Sequence, residues 1–314
     1  MSPQDVLNAQ QLRQGLALYE QQVRPLVGIQ DAAYRVTLIK QFVESLRRVR
    51  YVTRIAQRDV SNNRADPSSD LFDPERAAVL HYRQGNFDEA FWLIFLSVHF
   101  GKPRGSGWRL VRDIYGQLGS GNYWDWAQTS ANPTAFRHWL STSLATLKGG
   151  DGVTRRFGNH RKYESLHPYS DRGTGSAIES YVNWVVHFGD HNLLIQDSAT
   201  QTNGTPRAMF DYIYRSMGDV ISFGRTAKFD YLTMVGKLGL APIEPGSTYM
   251  QGATGPFKGA KLLFGNAATV NLNRSQLDAW VIQLEGYLNV GMQPMEDALC
   301  NWQKSPGTFK AFRG

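Results

Sequence analysis

Apolar residues recur every three or four positions along most of this chain of 314 residues. That spacing is typical of one face of an α-helix, and no stretch shows the alternation or the β-branched run of a strand. Residues 90–96 are apolar on nearly all sides, as in a helix at the centre of a core. The sequence therefore predicts an all-α fold with this helix at its centre.

The same periodicity predicts the individual helices and the breaks between them. Helices are predicted over 6–24, 31–57, 77–82, 88–100, 108–118, 136–147, 178–188, 209–217, 275–289 and 295–302. Residues 58–75 and 196–208 are polar and are predicted to be loops. Residues 241–261 are dense in Pro and Gly and are predicted to form a long ordered loop or lid. The arginines at 47, 48, 50 and 54 are expected to form a solvated helix face.

Residues 155–166 combine a carboxamide, an imidazole, a phenol, a carboxylate, a hydroxyl and four cationic side chains, with glycines on both sides. They lack the apolar spacing of a surface helix. So many kinds of polar group favour a loop that handles a charged ligand. The alternative is a solvated basic loop, because charge clusters are often only solvated.

A second candidate segment lies at 221–232, where Gly224 precedes a helix with Phe229 and Leu232 on its apolar face. A glycine turn into a helix directs backbone N–H groups outward, which suits a phosphate. An ordinary helix start would look the same from the sequence.

Composition limits the partners and the cofactors. The net charge of +7 and the heavy load of Trp, Tyr and Phe suggest an anionic, planar partner such as nucleic acid, although a slightly basic enzyme is also compatible. The single cysteine, Cys300, excludes a disulfide within the monomer and argues against a cysteine-ligated zinc site. His187 and His191 lack a clear third ligand, so no metal site is predicted. The start has no signal-peptide pattern and no run is long enough to cross a bilayer, so we expect a cytoplasmic protein.

Residues 157–166 and 224–231 together resemble the α-glutamyl/putrescinyl thymine pyrophosphorylases, also described as amino acid:DNA transferases of bacteriophages. Residues 87–92 and 251–256 fit the same resemblance, which covers most of the chain after residue 70. That family is similar in fold to the helix-hairpin-helix DNA glycosylases. The resemblance therefore implies a helical glycosylase-like architecture with a helix-hairpin-helix-like element and long ordered loops. It divides the chain into an N-terminal helical extension, 1–66, and a catalytic region, 67–314.

The resemblance implies a reaction on double-stranded DNA with a flipped, thymine-like base. An amine, from a free amino acid or a polyamine, displaces pyrophosphate from a pyrophosphorylated 5-hydroxymethyl group. No cofactor, metal or membrane is implied, and the setting would be a bacterial host cell, with a phage or prophage gene. The basic loop leans towards an amino acid, because its carboxylate needs a cation.

Four tasks follow from that reaction, each with its candidate residues. Tyr163, Tyr181 or Trp184 would stack on the extruded base. All three aromatic residues could equally be part of the core. The pyrophosphate is assigned to Arg161, Lys162, Arg225 and Lys228. The proton of the attacking amine is assigned to His160, Glu164 or Asp230. Asn159 and Ser165 would hold the base edge or the amino-acid carboxylate, and Gly224 and Thr226 belong to the hairpin that would grip the DNA backbone.

One departure from the glycosylase pattern supplies an alternative function. Glycosylases carry a catalytic Asp about eighteen residues beyond the hairpin, where this chain has Glu244, and the hairpin here lacks their two-glycine turn. Base excision is therefore less favoured than transfer. A non-catalytic helical DNA-binding module is the third reading, and the density of unlike polar groups at 159–165 argues against it.

Overall fold

The computed structural model describes residues 2–265 and 272–311. All regular secondary structure in these residues is helical, which confirms the all-α class. The α-helices described are α1 (Pro3–Gln22), α2 (Ala32–Gln57), α3 (Pro74–Arg83), α4 (Phe87–Phe100), α5 (Arg109–Tyr115), α6 (Trp126–Ala131), α7 (Pro133–Ala145), α8 (Thr174–Phe188), α9 (His191–Thr202), α10 (Pro206–Ser216), α11 (Arg225–Lys237), α12 (Gly255–Phe264), α13 (Arg274–Leu288) and α14 (Met292–Trp302). No helix within this part of the chain is long and apolar enough to cross a membrane.

The chain packs as two compact units. The first combines the two ends of the sequence, Met1–Tyr51 and Pro245–Arg313, and the second is the continuous segment Val52–Glu244. The division expected from the sequence, between residues 66 and 67, coincides with neither limit of these units. The assignment of an N-terminal extension and a catalytic region stays a prediction about function.

In the first unit, α1 begins with a capping box in which Ser2 and Asp5 bond reciprocally. The Asp5 carboxylate is buried and accepts hydrogen bonds from Arg47 and Arg50 of α2. The guanidinium of Arg47 in particular holds the pKa of Asp5 well below its usual range. These two arginines are therefore reached by solvent, as expected, but they also pair with a buried carboxylate, and Arg48 pairs with Asp297 at 3.1 Å.

The second unit is organised around α4, as the apolar run predicts. Ten residues of this helix are buried, so it is enclosed on nearly every side. It follows α3 through a tight turn at Gly85, whose φ of +83° favours glycine. α11 and α9 also pack on it. Helix α4 therefore positions the surrounding helices and the loops at its two ends.

Two predicted loops are partly helical. Residues 196–202 belong to α9, which Asp190 caps and Asn203 ends in the left-handed region at φ +53°. This helix buries only a narrow stripe, so its sequence is mostly polar and resembles a loop. Residues 255–261 belong to α12, where a Cβ on Gly259 would lie 2.3 Å from the carbonyl oxygen of Leu299. Close packing on α14 explains this glycine, which the sequence pattern attributes to a loop.

Candidate functional site

The loop that carries most of the candidate residues is attached to the C-terminal end of α4. The Gly158 N–H donates to the Phe100 carbonyl at 2.7 Å. A Cβ on Gly158 would lie 2.8 Å from Gly101, so both glycines are required for this approach. The following residues, Asn159–Arg161, form one turn of 3-10 helix. The loop is thus held in a defined position on the central helix.

Arg161 turns inward from this loop. Its side chain is only 7% exposed, and its Nε donates to the carbonyl of Val98 at 3.0 Å. The guanidinium carbon lies 5.7 Å from the ring centroid of Phe223. Burial lowers the pKa of Arg161, while the nearby carboxylates of Asp230 and Glu164 act to raise it. The structure therefore brings the 157–166 segment and the 224–231 segment together, with Arg161 between them.

Nη2 of Arg161 is buried, and no acceptor of the described residues lies within hydrogen-bond distance of it. A buried donor without an acceptor costs about 1–3 kcal/mol, and more when the group is charged. Arg161 therefore contributes a buried cationic donor that is not satisfied within the described part of the chain.

His99 lies beside this arginine and is almost completely buried. Its Nε2 is 3.1 Å from the hydroxyl oxygen of Thr174, and that hydroxyl donates to the carbonyl of Ser165 at 2.9 Å. Because the hydroxyl proton is committed, Nε2 must be the protonated nitrogen and Nδ1 an acceptor. Burial first, and then Arg161, lowers the pKa of His99 to about 3. The ring is therefore neutral. It contributes packing and a hydrogen bond to the site but no charge.

The other candidate side chains of the loop are exposed or half-buried. His160, Lys162 and Ser165 are exposed, as is Asn159, and Glu164 is half-buried. Tyr163 is 88% exposed, and the ammonium of Lys162 lies 5.0 Å from its ring centroid. A large aromatic face in solvent beside a cation suits stacking on an extruded base.

The α11 segment begins at Gly224, which is exposed and has ordinary extended dihedral angles. The Lys228 ammonium lies 4.2 Å from the ring centroid of Tyr214, and burial lowers its pKa. Arg225 lies over the ring of Phe229 at 4.9 Å, and Thr226 is exposed. The connection from α10 to α11 is short, and its assignment as a helix-hairpin-helix element stays a prediction.

Tyr181 does not present its ring to solvent. It is completely buried and stacks on Phe95 with centroids 3.8 Å apart, so no face is open to a base. Its hydroxyl lies 2.7 Å from Nε2 of His191 and 2.9 Å from the hydroxyl of Tyr231. The sequence-based assignment of Tyr181 to base stacking is therefore not supported by its position, and Trp184 is buried as well.

The hydrogen bonds of Tyr181 continue to the N-terminal end of α4. Nδ1 of His191 lies 2.5 Å from the carboxylate of Asp88. Burial acts to raise the pKa of Asp88, but the hydrogen bonds from His191 outweigh it and the pKa is lowered. Burial lowers the pKa of His191, so its Nδ1–H donates to Asp88 and its Nε2 accepts from Tyr181. His191 is thus committed to a core network, and the described residues contain no group that could hold a metal.

A pocket of about 860 Å³ opens at this end of α4. Five carboxylate residues line it, namely Asp66, Asp88, Glu89, Asp125 and Asp190, and its lining among the described residues includes no Lys or Arg. Tyr115, Tyr123 and Trp126 supply aromatic walls. Glu89 accepts from the Tyr115 hydroxyl at 2.8 Å and the Trp126 N–H at 2.7 Å, and burial raises its pKa to about 7. Carboxylates with aromatic faces suit a cation.

The family model described as Alpha-glutamyl/putrescinyl thymine pyrophosphorylase clade 3 matches residues 33–314. The chain belongs to this family. The match contains both segments on which the resemblance depends, and it begins within α2, so α1 lies outside it. No curated protein and no solved structure matches the chain.

Glu244, which stands where the glycosylases have their catalytic Asp, lies on the surface. Its side chain is 59% exposed and pairs with the exposed Arg207 at 2.9 Å. A surface ion pair of this kind is worth about 0–1 kcal/mol. Nothing in this environment prepares Glu244 for base excision.

Sequence reasoning missed His99 and the Asp88–His191 network. One signal was available for His99, because it interrupts the apolar run of α4. A polar residue inside such a run needs a buried partner. For Asp88 and His191, 103 positions apart, only the packing of α9 on α4 reveals the pair.

Proposed function

We propose that the chain acts on DNA that contains 5-hydroxymethyluracil with a pyrophosphate on its hydroxymethyl group, and that it joins an amine to this base. The amine nitrogen forms a bond to the methylene carbon, the carbon–oxygen bond to pyrophosphate breaks, and the nitrogen loses a proton. Membership of the alpha-glutamyl/putrescinyl thymine pyrophosphorylase family supports an enzyme that acts on thymine-type bases. The DNA substrate also favours action in the cytoplasm of a bacterial host, with the gene of a phage or prophage.

The observation that carries this proposal is the buried Nη2 of Arg161, which has no acceptor among the described residues. Negative charge grows on the pyrophosphate oxygens as the carbon–oxygen bond breaks. A fixed guanidinium donor stabilises that charge without reorganisation, and such a donor is worth about 10²–10³ in rate. Lys162, Arg225 and Lys228 are the supporting cations of the same region, with exposed or aromatic-backed ammonium and guanidinium groups.

The proton acceptor belongs to the group His160, Glu164 and Asp230. An attacking amine must be neutral, and a base within hydrogen-bond reach is required to receive its proton. Asp230 and Glu164 lie close enough to Arg161 to affect its pKa, and His160 is exposed on the adjoining turn. Transfer of the proton to one of them releases the amine for attack beside the leaving group.

Recognition of the base is assigned to the exposed residues of the same loop. Tyr163 would stack on the extruded base, and Asn159 and Ser165 would hydrogen-bond its edge. Gly224 and Thr226 at the start of α11 would contact the DNA backbone. The reacting carbon would then lie near Arg161.

The test is mass spectrometry of nucleosides from pyrophosphorylated hydroxymethyluracil DNA after incubation with the protein and a mixture of amines. We expect an aminomethyl-linked base and one pyrophosphate released for each base converted. Tyr163→Ala should reduce conversion about tenfold through lost stacking, whereas the exposed Tyr51→Ala should not.

The same assay separates the other two functions. Abasic sites in uracil or hydroxymethyluracil DNA would instead identify a glycosylase. An unchanged base with no pyrophosphate released would reject the transfer reaction, and salt-sensitive DNA binding without chemistry would identify a binding module.

A further inference from the structure

The loop between α4 and α5 has donors and cations that the proposed reaction does not use. Residues 101–108 connect the two helices, and Gly107 turns the chain at φ +54°. Two concavities flank this loop, of about 310 Å³ and 660 Å³, and both include Ser106 and Arg109 in their walls. The loop adjoins the candidate site, because Gly101 packs directly against Gly158.

The larger concavity is cationic. Arg104 and Arg109 from the loop region face it together with Arg156 from the 153–156 segment. None of its lining residues, within the part of the chain that is described, carries a carboxylate. Arg104 and Arg156 are exposed, and no ion pair is found for either among residues 2–265 and 272–311. Their charges are therefore available to a ligand.

Neighbouring arginines are neutralised, which distinguishes them from this pair. Asp113 accepts from Arg109 at 2.9 Å and from Arg155 at 2.5 Å. Arg112 bonds to Asp70 in the same region. These ion pairs stiffen the walls, whereas Arg104 and Arg156 supply the net positive charge.

The smaller concavity adds neutral donors, and its two carboxylates, Asp70 and Asp73, are paired with Arg112 and Arg76. Trp108 lines it and is only 9% exposed, and its Nε1 is buried with no hydrogen-bond partner among the described residues. Ser106 lines both concavities, and its hydroxyl is also buried with no hydrogen-bond partner among the described residues. An indole N–H can only donate, so it requires an acceptor. The Lys102 ammonium lies 5.0 Å from the ring centroid of the same tryptophan.

We propose that the 102–109 loop is a phosphate-binding site, in which Arg104 and Arg156 neutralise the phosphoryl charge and Ser106 and Trp108 donate to its oxygens. The inference rests on the proposed function, which brings both DNA phosphates and pyrophosphate to this surface. Two adjoining concavities share Ser106 and Arg109 and offer more than one place for a phosphoryl group, so the DNA backbone, with its repeated phosphates, is the expected source. Phosphate contacts of this kind set the position of the protein on the duplex.

The experiment compares Arg104→Gln/Arg156→Gln with the exposed pair Arg13→Gln/Arg54→Gln, which removes the same charge elsewhere. Binding of an unmodified DNA duplex is measured by fluorescence anisotropy across salt concentrations, and binding of inorganic pyrophosphate by calorimetry. Loss of two phosphate contacts should reduce the slope of log K against log salt by about 1.8. Trp108→Phe keeps the ring and removes one donor, and it should weaken binding roughly tenfold.

A smaller slope only in the site variant supports the DNA backbone as the ligand. A loss of pyrophosphate affinity with unchanged DNA binding supports the same site with the leaving group as its ligand. Equal behaviour of both double variants in both assays overturns the proposal, as does a wild-type chain that binds neither probe. Neither binding assay needs an amine or catalytic turnover. A protein that binds the probes normally but shows no transfer activity would therefore contradict the proposed reaction and still support this phosphate site.

Discussion

The two ends of α4 carry opposite charge. At its N-terminal end, Asp88 and Glu89 face the acidic pocket, and at its C-terminal end Arg161 donates to the Val98 carbonyl. Eleven residues separate Asp88 from His99, or about 16 Å along the axis at 1.5 Å per residue. A helix N-terminus favours carboxylates and the carbonyls at its C-terminus favour cations. The dipole of α4 therefore matches the charge that lies at each of its ends. The net charge of +7 conceals this separation.

The two ends therefore suit ligands of opposite charge. The cationic end suits DNA phosphates and pyrophosphate, and the acidic pocket with its aromatic walls suits a cation. The preference for an amino acid over a polyamine, drawn from the basic loop, stays a prediction.

The largest effect is expected for Arg161→Lys, which keeps the charge and removes the planar donor pair. We expect kcat for transfer to fall about a hundredfold, with KM for the amine unchanged. Steady-state kinetics on pyrophosphorylated DNA measures both. The exposed Arg215→Lys is the matched control, and a kcat within threefold of wild type for Arg161→Lys would remove this residue from the mechanism.

Next in size is Tyr181→Phe, which tests the buried hydrogen-bond network that reaches Asp88 at the N-terminal end of α4. Without the hydroxyl, Nε2 of His191 loses its donor and Tyr231 loses its partner. The free energy of unfolding should fall by about 1–3 kcal/mol, measured by urea denaturation. Tyr163→Phe, on an exposed ring, should stay within about 0.5 kcal/mol. Equal values for both variants would mean that the buried network adds nothing to stability.

A smaller effect is expected for Asp125→Asn/Asp190→Asn in the acidic pocket. Both residues cap helices, and asparagine preserves the caps while it removes two charges. The Kd of the pocket for a diamine such as putrescine, measured by calorimetry, should rise about tenfold, roughly the cost of one lost ion contact, with DNA affinity unchanged. The control is Asp31→Asn in the other unit. A parallel loss of DNA affinity would show that the two ends do not bind their ligands independently.

The last prediction concerns the pH dependence of stability. The pKa of Glu89 rises from 4.5 to about 7 on folding, so the folded chain holds this proton more tightly. The resulting stabilisation is complete below pH 4.5 and is lost as the pH rises through 7. We expect this loss to be on the order of 3 kcal/mol, and Glu89→Gln should abolish it.

His99 gives the opposite dependence at the other end of α4. Its pKa falls from 6.5 to about 3, so the stability it contributes is present above pH 6.5 and is lost as the pH falls through 3. Thermal unfolding between pH 4 and 8 follows both groups. If Glu89→Gln and wild type show the same profile between pH 4.5 and 7, Glu89 does not titrate in that window.

Local sequence was enough to predict most helices and the two segments of the site. Helix α4 follows from its apolar run, and the 159–165 loop from its glycines and unlike polar groups. The differences fall where tertiary contacts outweigh local pattern. Residues 196–202 are helical because a narrow stripe packs inward, and Arg47 and Arg50 are bound because Asp5 is buried beside them.

Within the site, the sequence could nominate residues and not their orientation. Arg161 and Lys162 are adjacent cations, and only packing against Phe223 and Val98 makes one buried and leaves the other exposed. From the sequence, Tyr163 and Tyr181 are equivalent candidates for stacking on the base. In the structure, Tyr163 is exposed to solvent and Tyr181 is buried in the core.

The sequence by itself determined the helical class, the central helix and the family, because periodicity and contiguous motifs are local properties. Tertiary structure decided which groups lie together. Asp88 bonds to His191, Arg161 lies beside the α11 segment, and Arg104 and Arg156 line one concavity. These residues are about 50 to 100 positions apart in the sequence. Their burial and charge depend on how the helices pack, and no local pattern encodes that.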